Sequence, residues 1–450
     1  MKSFLFATLF AVFTLPVLSV YAEDDLLALS KDILIGTDAK REAAADAIIT
    51  RGDKDMISSL VLLMRIGGSH VVTQKALQAL TGKQLSTWRE AMRYQEAHPG
   101  IKPNASYYPL KLWYWGGIDR DISALFNNPE HLHNMRIRFE EITWGGVAFD
   151  GIPSLDTPEL IKAAKADYLL DTDLVFGIEI NGDVRAYPLR IMNWHEMFND
   201  VIGGVPVALA YCTLCGAGIL FETQLNDRNE PFIFGSSGLL YRSNKLMFDR
   251  QTKSLWNQFT GEPVSGELAD SGIKLKIRPT TITSWAKWRS THPDTKVLSL
   301  ETGHFRNYDT GVAYKDYFAS PDLMFPTNTD ERRLKQKQWV YGIRVAGGAK
   351  AWPLEAFKTE PIINDRVGFV NVVLIGDSAT QTVRAYERNN IAFSGDQNSI
   401  SSASGNWQIT ENALIGPEGL KLPRVSGHVA YWFAWDGYLG AGSELYQASQ

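Results

Sequence analysis

Hydrophobic and polar residues follow a helical period in the first hundred positions of the chain. From Glu23 to about His98, apolar side chains recur three or four residues apart, as in the run 56–66. This spacing predicts a series of short amphipathic helices. The segment ends in His98-Pro99-Gly100, which is typical of a helix end. A further helix is predicted within residues 156–170, because Thr157-Pro158 is a favourable helix start.

From Leu174 the pattern changes to the alternation of a β-strand. Two alternating runs flank Asn181-Gly182, the strongest short signal for a β-hairpin. Residues 190–198 are then predicted as a short helix carrying His195 and Glu196. A buried strand over 205–211 follows and delivers the chain to Cys212.

This part of the sequence occurs twice. The segment that starts at Val340 repeats the one that starts at Val175, at a constant offset of 340 − 175 = 165 residues, and the match runs without a gap for almost fifty positions. We interpret the match as an internal duplication. Shared positions are expected to serve the fold, whereas positions that differ are freer to carry chemistry. The replacements from the first to the second copy are Glu360 for His195, Pro361 for Glu196, Asp377 for Cys212 and Thr380 for Cys215.

The pattern as a whole predicts an α+β protein. A small all-helical N-terminal module over 23–105 resembles one or two units of a helical repeat. It is a candidate docking module for a small molecule or an exported protein partner, or alternatively a helical cap on the main domain without a partner. A larger domain over 106–445 is built from two duplicated β-hairpin/helix/strand units, at about 174–260 and 339–420.

The N-terminal sequence predicts that the protein is exported. Residues 1–22 have a charged start at Lys2, an apolar stretch and the cleavage-type sequence Val20-Tyr21-Ala22, which together predict a signal peptide. The protein is then periplasmic or secreted, with no membrane span after removal of the signal. The mature chain carries 44 basic and 50 acidic residues, a net charge of −6. Because it has no run of basic residues, its charge does not favour binding to nucleic acid or to anionic lipid.

The two cysteines of the chain, Cys212 and Cys215, are separated by two residues and followed by Gly216. Two thiolates in such a turn converge on one ion. His195 is the nearest third ligand, and His428, from the far end of the chain, is a candidate fourth. Sulfur and imidazole ligands suit zinc or copper. If one coordination position is open, Glu196 is the candidate for proton transfer to a metal-bound water or substrate.

Two other interpretations of the cysteines stay open. The pair fits a periplasmic thiol–disulfide redox protein, although the residues after Cys215 favour a strand rather than the helix start that activates a thiol. It also fits a non-catalytic binding scaffold with a structural disulfide. Other classes are disfavoured: His195-Glu196 lacks the second histidine of a zinc peptidase, Gly235-Ser236-Ser237-Gly238 lacks the spacing of a nucleophile elbow, and no phosphate loop is present.

Several of these motifs together resemble one bacterial family of exported proteins. They are residues 177–189, Asn193-Trp194-His195-Glu196, the segment 211–216, Ser237-Gly238-Leu239-Leu240-Tyr241, Ser254-Leu255-Trp256 and the closing segment 428–435. The family is catalogued as domain of unknown function 3179, and the resemblance covers roughly residues 144–438. Its members usually carry proline after the first cysteine, where this chain has Thr213. The resemblance implies a focus on His195, Cys212, Cys215 and His428 but no reaction type.

Overall fold

A computed structural model of the protein describes residues 23–67 and 71–448. The predicted signal peptide, 1–22, lies outside these residues. The described chain divides into two compact units. One unit comprises the chain up to Trp88 together with Gly100–Lys111, and the other comprises Arg89–Pro99 and the chain from Leu112 onward.

Helices are concentrated in the first quarter of the chain, as their period predicts. They are α1 Glu23–Ile35, α2 Asp38–Arg51, α3 Ile57–Gly67, α4 Val71–Thr81, α5 Trp88–Ala97, α6 Tyr107–Ile118, α7 Arg120–Ala124, α8 Glu130–His133, α9 Leu189–His195, α10 Trp285–Thr291, α11 Lys315–Ala319 and α12 Trp432–Leu439.

Strands dominate the remainder, and the predicted α+β class is confirmed. The strands of the first half are β1 Ile142–Trp144, β2 Leu155–Asp156, β3 Leu160–Lys162, β4 Leu174–Ile180, β5 Asp183–Pro188, β6 Met197–Ile202, β7 Val205–Cys212, β8 Ala217–Glu222, β9 Phe234–Tyr241, β10 Asn244–Asp249, β11 Leu255–Asn257, β12 Glu262–Ser265, β13 Ile277–Arg278, β14 Thr281–Ser284 and β15 Lys296–Leu298. Those of the second half are β16 Trp339–Val345, β17 Gly348–Pro353, β18 Ile362–Val367, β19 Val370–Asp377, β20 Thr382–Glu387, β21 Ser394–Gly395, β22 Ile400–Ser402, β23 Gly405–Ile409, β24 Ala413–Ile415, β25 Lys421–Val425, β26 Gly427–Tyr431 and β27 Glu444–Leu445.

The smaller unit owes its helices to capping and to apolar faces. Thr37 precedes α2, and its side chain accepts the backbone N–H of Lys40, a favourable N-cap. Gly52 ends α2 in the left-handed region, with φ +73°. Ile48 and Leu60 are fully buried in the apolar faces of α2 and α3. No helix of the described residues is long and apolar enough to cross a membrane.

The larger unit contains five sheets. Their strand orders are β1-β9-β10-β11-β12, β13-β8-β7-β6-β2, β14-β4-β5-β15-β3, β26-β16-β17-β27 and β18-β19-β20-β25-β24-β23-β22-β21.

The two copies of the repeated sequence have the same strand pairing. In the first copy Ile180 lies opposite Asp183 across the β4–β5 hairpin, and in the second Val345 lies opposite Gly348. The ladders β6–β7–β8 and β18–β19–β20 also agree in register at the offset of 165 residues. One apolar core includes residues of both copies, because Phe176, Leu209, Tyr341 and Leu374 belong to the same buried cluster.

The helix predicted within 156–170 does not start at Thr157-Pro158, and the range contains only a short 3-10 helix, Ala163–Lys165. Leu155–Asp156 pairs with β6 and Leu160–Lys162 pairs with β15, and Thr157 between them has φ +51°. Pairing with strands from elsewhere in the chain outweighs the local preference of Thr-Pro for a helix start.

Candidate functional site

The two cysteines lie in the turn between β7 and β8 and form a disulfide. Cys212 ends β7 opposite Ala217, and its Cα lies 5.2 Å from that of Cys215. Both residues are buried, with 2% and 0% of their surfaces exposed. Gly216 has φ +63°, and a β-carbon there would overlap the ring of Trp339. The positive φ favours glycine, and the contact with Trp339 leaves no room for a side chain.

Aromatic residues enclose this turn. The Tyr431 backbone N–H donates to the carbonyl oxygen of Cys215 at 2.8 Å, and the Tyr317 hydroxyl donates to that of Leu214 at 2.7 Å. The rings of Trp339 and Tyr431 stack with centroids 3.9 Å apart. Burial raises the pKa of Tyr317 well above its usual range, which keeps this hydroxyl a neutral donor. The disulfide is thus held inside the core.

The second copy closes the equivalent turn without sulfur. Asp377 and Thr380 stand where the first copy has Cys212 and Cys215, and the Thr380 hydroxyl donates to the Asp377 carboxylate at 2.9 Å. Lys287 forms an ion pair with the same carboxylate at 3.1 Å. Gln381, the equivalent of Gly216, also has a positive φ of 54°. We call this segment, Asp377–Gln381, the twin turn.

His195 ends α9 and uses both of its ring nitrogens. Nδ1 lies 2.8 Å from the carbonyl oxygen of Pro153, and Nε2 lies 2.5 Å from the hydroxyl of Tyr308. Since a carbonyl only accepts, Nδ1 carries the proton and Nε2 accepts from Tyr308. Burial lowers the pKa of His195 to about 4, and the nearby charges of His304 and Arg306 act in the same direction. The ring is neutral at physiological pH.

Glu196 directly follows α9 and turns the chain into β6. Its φ of 55° places it in the left-handed region, and the helix ends at His195, three residues before the end predicted at 198. The side chain is buried, and its Oε2 lies 3.2 Å from the Nζ of Lys245 on β10. Tyr314 donates to Oε1 at 3.3 Å. Burial lowers the pKa of Lys245, although the charge of Glu196 opposes this.

His428 lies on β26, opposite Gly342 of β16, and is 7% exposed. Its ring meets that of Phe259 edge-to-face, with centroids 5.0 Å apart. Its Nε2 has no hydrogen-bond partner among the described residues. Burial, with the charge of Arg344, lowers the pKa of His428 to about 3.

The structure brings Cys212 and Cys215 together but surrounds His195 and His428 with other groups. Residues 23–67 and 71–448 include no group of three or more His, Cys, Asp and Glu side chains placed to hold a metal ion. In the disulfide the two sulfur atoms are bonded to each other. The predicted zinc or copper site is therefore a hypothesis about the reduced protein.

A cleft of about 490 Å³ opens beside the segment Asn193-Trp194-His195-Glu196. Asn193, Trp194, Arg306 and Tyr314 form part of its wall. The sequence reasoning missed Tyr308, Tyr314 and Arg306, which lie in a loop without hydrophobic period. It also missed Lys245, whose signal was available: a lone cation just before the apolar run Leu246-Met247-Phe248 needs a partner if the run is buried.

Comparison with known proteins yields one match. Residues 149–441 match the model of a family described as a protein of unknown function (DUF3179). No curated protein matches the chain, and no solved structure does.

Proposed function

The chain belongs to the DUF3179 family of proteins of unknown function, and we propose that it is an exported, non-catalytic binding protein in which the Cys212–Cys215 disulfide ties a turn of the fold. This is the third of the interpretations that the sequence leaves open. It assigns the cysteines to stability and leaves binding to the cleft beside α9.

The twin turn is the observation that carries this proposal. The same turn, in the same strand register, is tied by a disulfide in one copy and by the Thr380–Asp377 hydrogen bond in the other. A disulfide and a hydrogen bond at equivalent positions have one effect in common, which is that each holds the turn closed. The simplest role for the disulfide is therefore that of a structural cross-link.

Burial of the disulfide supports the same conclusion over thiol exchange. An exchanging cysteine must be reached by its partner and activated as a thiolate. Cys212 and Cys215 are at most 2% exposed, and β8 rather than a helix follows them. No helix dipole is available to lower a thiol pKa.

The disulfide also supports export. Disulfides persist in the periplasm and outside the cell, whereas cytosolic thiols are kept reduced. A periplasmic or secreted location agrees with the signal peptide predicted at 1–22, and it completes the proposal.

The metal site remains a second hypothesis with its own requirements. Cys212 and Cys215 would have to be reduced, and His195 would have to give up Tyr308 or Pro153 as a partner. Glu196 would act as proton donor or acceptor only after leaving Lys245.

Thiol chemistry and elemental analysis of the protein isolated from its export compartment test the proposal. We expect one disulfide, no stoichiometric zinc or copper, and no reduction of the native protein by millimolar glutathione. After unfolding in guanidinium the same disulfide should be reduced. The double variant Cys212→Ser/Cys215→Ser should fold with a stability lowered by about 2 kcal/mol, the value for closing so short a loop.

Other results identify the competing functions. Reversible reduction of the native protein by glutathione would establish the redox interpretation. Stoichiometric metal that is lost in both Cys212→Ser and His195→Ala would establish the metal site. Either result overturns the structural role of the disulfide.

A further inference from the structure

The cleft beside α9 is built for a small ligand. Its volume, about 490 Å³, lies within the usual range of small-molecule sites. Val147, Ile152 and the ring of Trp194 supply apolar wall. Trp194 is fixed in place, because its Nε1 donates to the carbonyl oxygen of Asn307 at 2.8 Å. A fixed indole face is suited to packing against the apolar face of a ring.

Arg306 gives the cleft a positive charge. Its Nη1 donates to the carbonyl oxygen of Phe305 at 2.9 Å, and the guanidinium forms no ion pair with a carboxylate of the described residues. Arg306 also lines a second cleft, of about 610 Å³. A guanidinium with free N–H groups at the mouth of a cleft selects a carboxylate or a phosphate.

Asn193 contributes an amide side chain to the wall of the cleft. Its Oδ1 is buried and has no hydrogen-bond partner within residues 23–67 and 71–448. A buried acceptor left unpaired is destabilising, so a native protein seldom keeps one. A ligand hydroxyl satisfies this amide in either orientation, because a hydroxyl both donates and accepts.

Tyr314 adds a second acceptor. Its hydroxyl hydrogen is directed to Glu196 Oε1 at 3.3 Å, and Glu196 is held by Lys245. The oxygen of Tyr314 therefore keeps its lone pairs for a donor in the cleft. The wall thus combines one cation, two positions for hydroxyl groups and an aromatic face.

From this combination we infer that the cleft binds a small hydroxylated carboxylic acid of the sugar-acid class, with its carboxylate on Arg306 and its hydroxyls on Asn193 and Tyr314. The inference rests on the proposed binding function and names its ligand class. A single carboxylate is preferred to a phosphate, because one exposed guanidinium is the only unpaired cation that the described wall of the cleft supplies.

Isothermal titration of the full mature chain with D-glucuronate tests the inference. We expect saturable binding below about 10 mM, a range accessible to one charged contact and a few hydrogen bonds. Glucose, which lacks the carboxylate, and cyclohexanecarboxylate, which lacks the hydroxyls, should each bind at least about tenfold more weakly, since each loses hydrogen bonds that glucuronate makes in the cleft. Glucose 6-phosphate should bind no tighter than glucuronate.

Matched variants locate the site. Arg306→Gln should weaken glucuronate binding about tenfold or more, and Asn193→Ala should weaken it several-fold, since each loses hydrogen bonds to the ligand. Arg366→Gln is the control: Arg366 is also an exposed arginine bonded to a backbone carbonyl, that of Gly368, and lies outside the cleft. Its substitution should leave binding unchanged.

Three outcomes would overturn the ligand class: no saturable glucuronate binding, tighter binding of glucose 6-phosphate, or equal affinities for Arg306→Gln and the wild type. Each is distinguishable from failure of the proposed function, which is read from thiol reactivity and metal content. If the disulfide is inert and glucuronate does not bind, the structural role of the disulfide stands and only the proposed ligand class is rejected.

Discussion

Nε2 of His195 lies 2.5 Å from the hydroxyl oxygen of Tyr308, although 113 residues separate the two along the chain. The Tyr308 oxygen in turn lies 2.7 Å from Oγ1 of Thr302. Since Tyr308 donates to the unprotonated Nε2, Thr302 is left to donate to Tyr308. His195 thereby anchors the loop that carries Arg306, and its best-supported role is to hold one wall of the cleft in place.

Replacement of Tyr308 by phenylalanine tests this anchor. The change leaves the buried Nε2 of His195 without its donor, so we expect a loss of about 1–3 kcal/mol in the free energy of unfolding and faster proteolysis within residues 300–314. Urea denaturation and limited proteolysis measure the two effects. Tyr94→Phe is the control, because the Tyr94 hydroxyl makes no hydrogen bond within the described chain. Equal stabilities of the two variants would contradict the anchoring role.

Gly216→Ala should be far more damaging than an ordinary substitution in a turn. The new methyl group meets the Trp339 ring, and alanine would also have to adopt a φ of +63°, which is unfavourable for an L-residue. Gly204→Ala separates the two effects, since Gly204 has φ +80° with open space around it. We expect about 1–2 kcal/mol for Gly204→Ala from backbone conformation alone, and about 3 kcal/mol or more for Gly216→Ala with the steric overlap added. Thermal unfolding of both variants measures the two losses of stability. Similar losses would mean that Trp339 moves aside freely.

The register shared by the two turns predicts that a disulfide can be engineered into the twin turn. If both turns have one geometry, Asp377→Cys/Thr380→Cys should oxidise to a disulfide in the folded protein without a change in fold. The new bond should contribute about 2 kcal/mol, reduced by the loss of the Lys287 ion pair, which is half-buried and worth about 1 kcal/mol. Peptide mapping under non-reducing conditions detects the bond. Free thiols at both positions after oxidation would show that the two turns differ.

Glu96 predicts a dependence of stability on pH. Burial raises the pKa of Glu96 to about 7, with the charge of Glu141 acting in the same direction and the backbone N–H of Asn328 opposing it. The folded protein therefore holds this proton more tightly than the unfolded chain does. The stabilisation is complete below about pH 4.5 and is lost as the pH rises to about 7, a change of roughly 3 kcal/mol.

The variant Glu96→Gln should remove this slope and be more stable than the wild type at about pH 8. Chemical denaturation across the pH range provides the test. Glu130→Gln, at an exposed position of α8, should leave the slope unchanged. An unaltered slope in Glu96→Gln would assign the pH dependence to another group.

Features set by neighbours in the chain were predictable from sequence. Asn181-Gly182 identifies the β4–β5 hairpin because only a turn with positive φ at both residues suits a twisted two-strand ribbon. The strand that ends at Cys212 follows from its unbroken apolar run. The family assignment made from these motifs is confirmed by the match over residues 149–441.

Features set by distant neighbours were not predictable in this way. The sequence singles out His195 and Glu196, but their partners Tyr308 and Lys245 come from a loop and a strand whose positions depend on the completed fold. The helix predicted to start at Thr157 is absent for the same reason, since the flanking strands are defined by pairing with β6 and β15. Local patterns indicate which residues matter, and tertiary pairing decides what each one contacts.

The hydrogen-bonded twin turn indicates how far this fold depends on an oxidising compartment. One half of the molecule shows that an aspartate and a threonine, helped by a neighbouring lysine, hold the same bend without oxidation. Only the sulfur-containing half requires an oxidising compartment to be complete. A relative that carried the aspartate–threonine solution in both halves, with a lysine to match, would fold as well among reduced thiols.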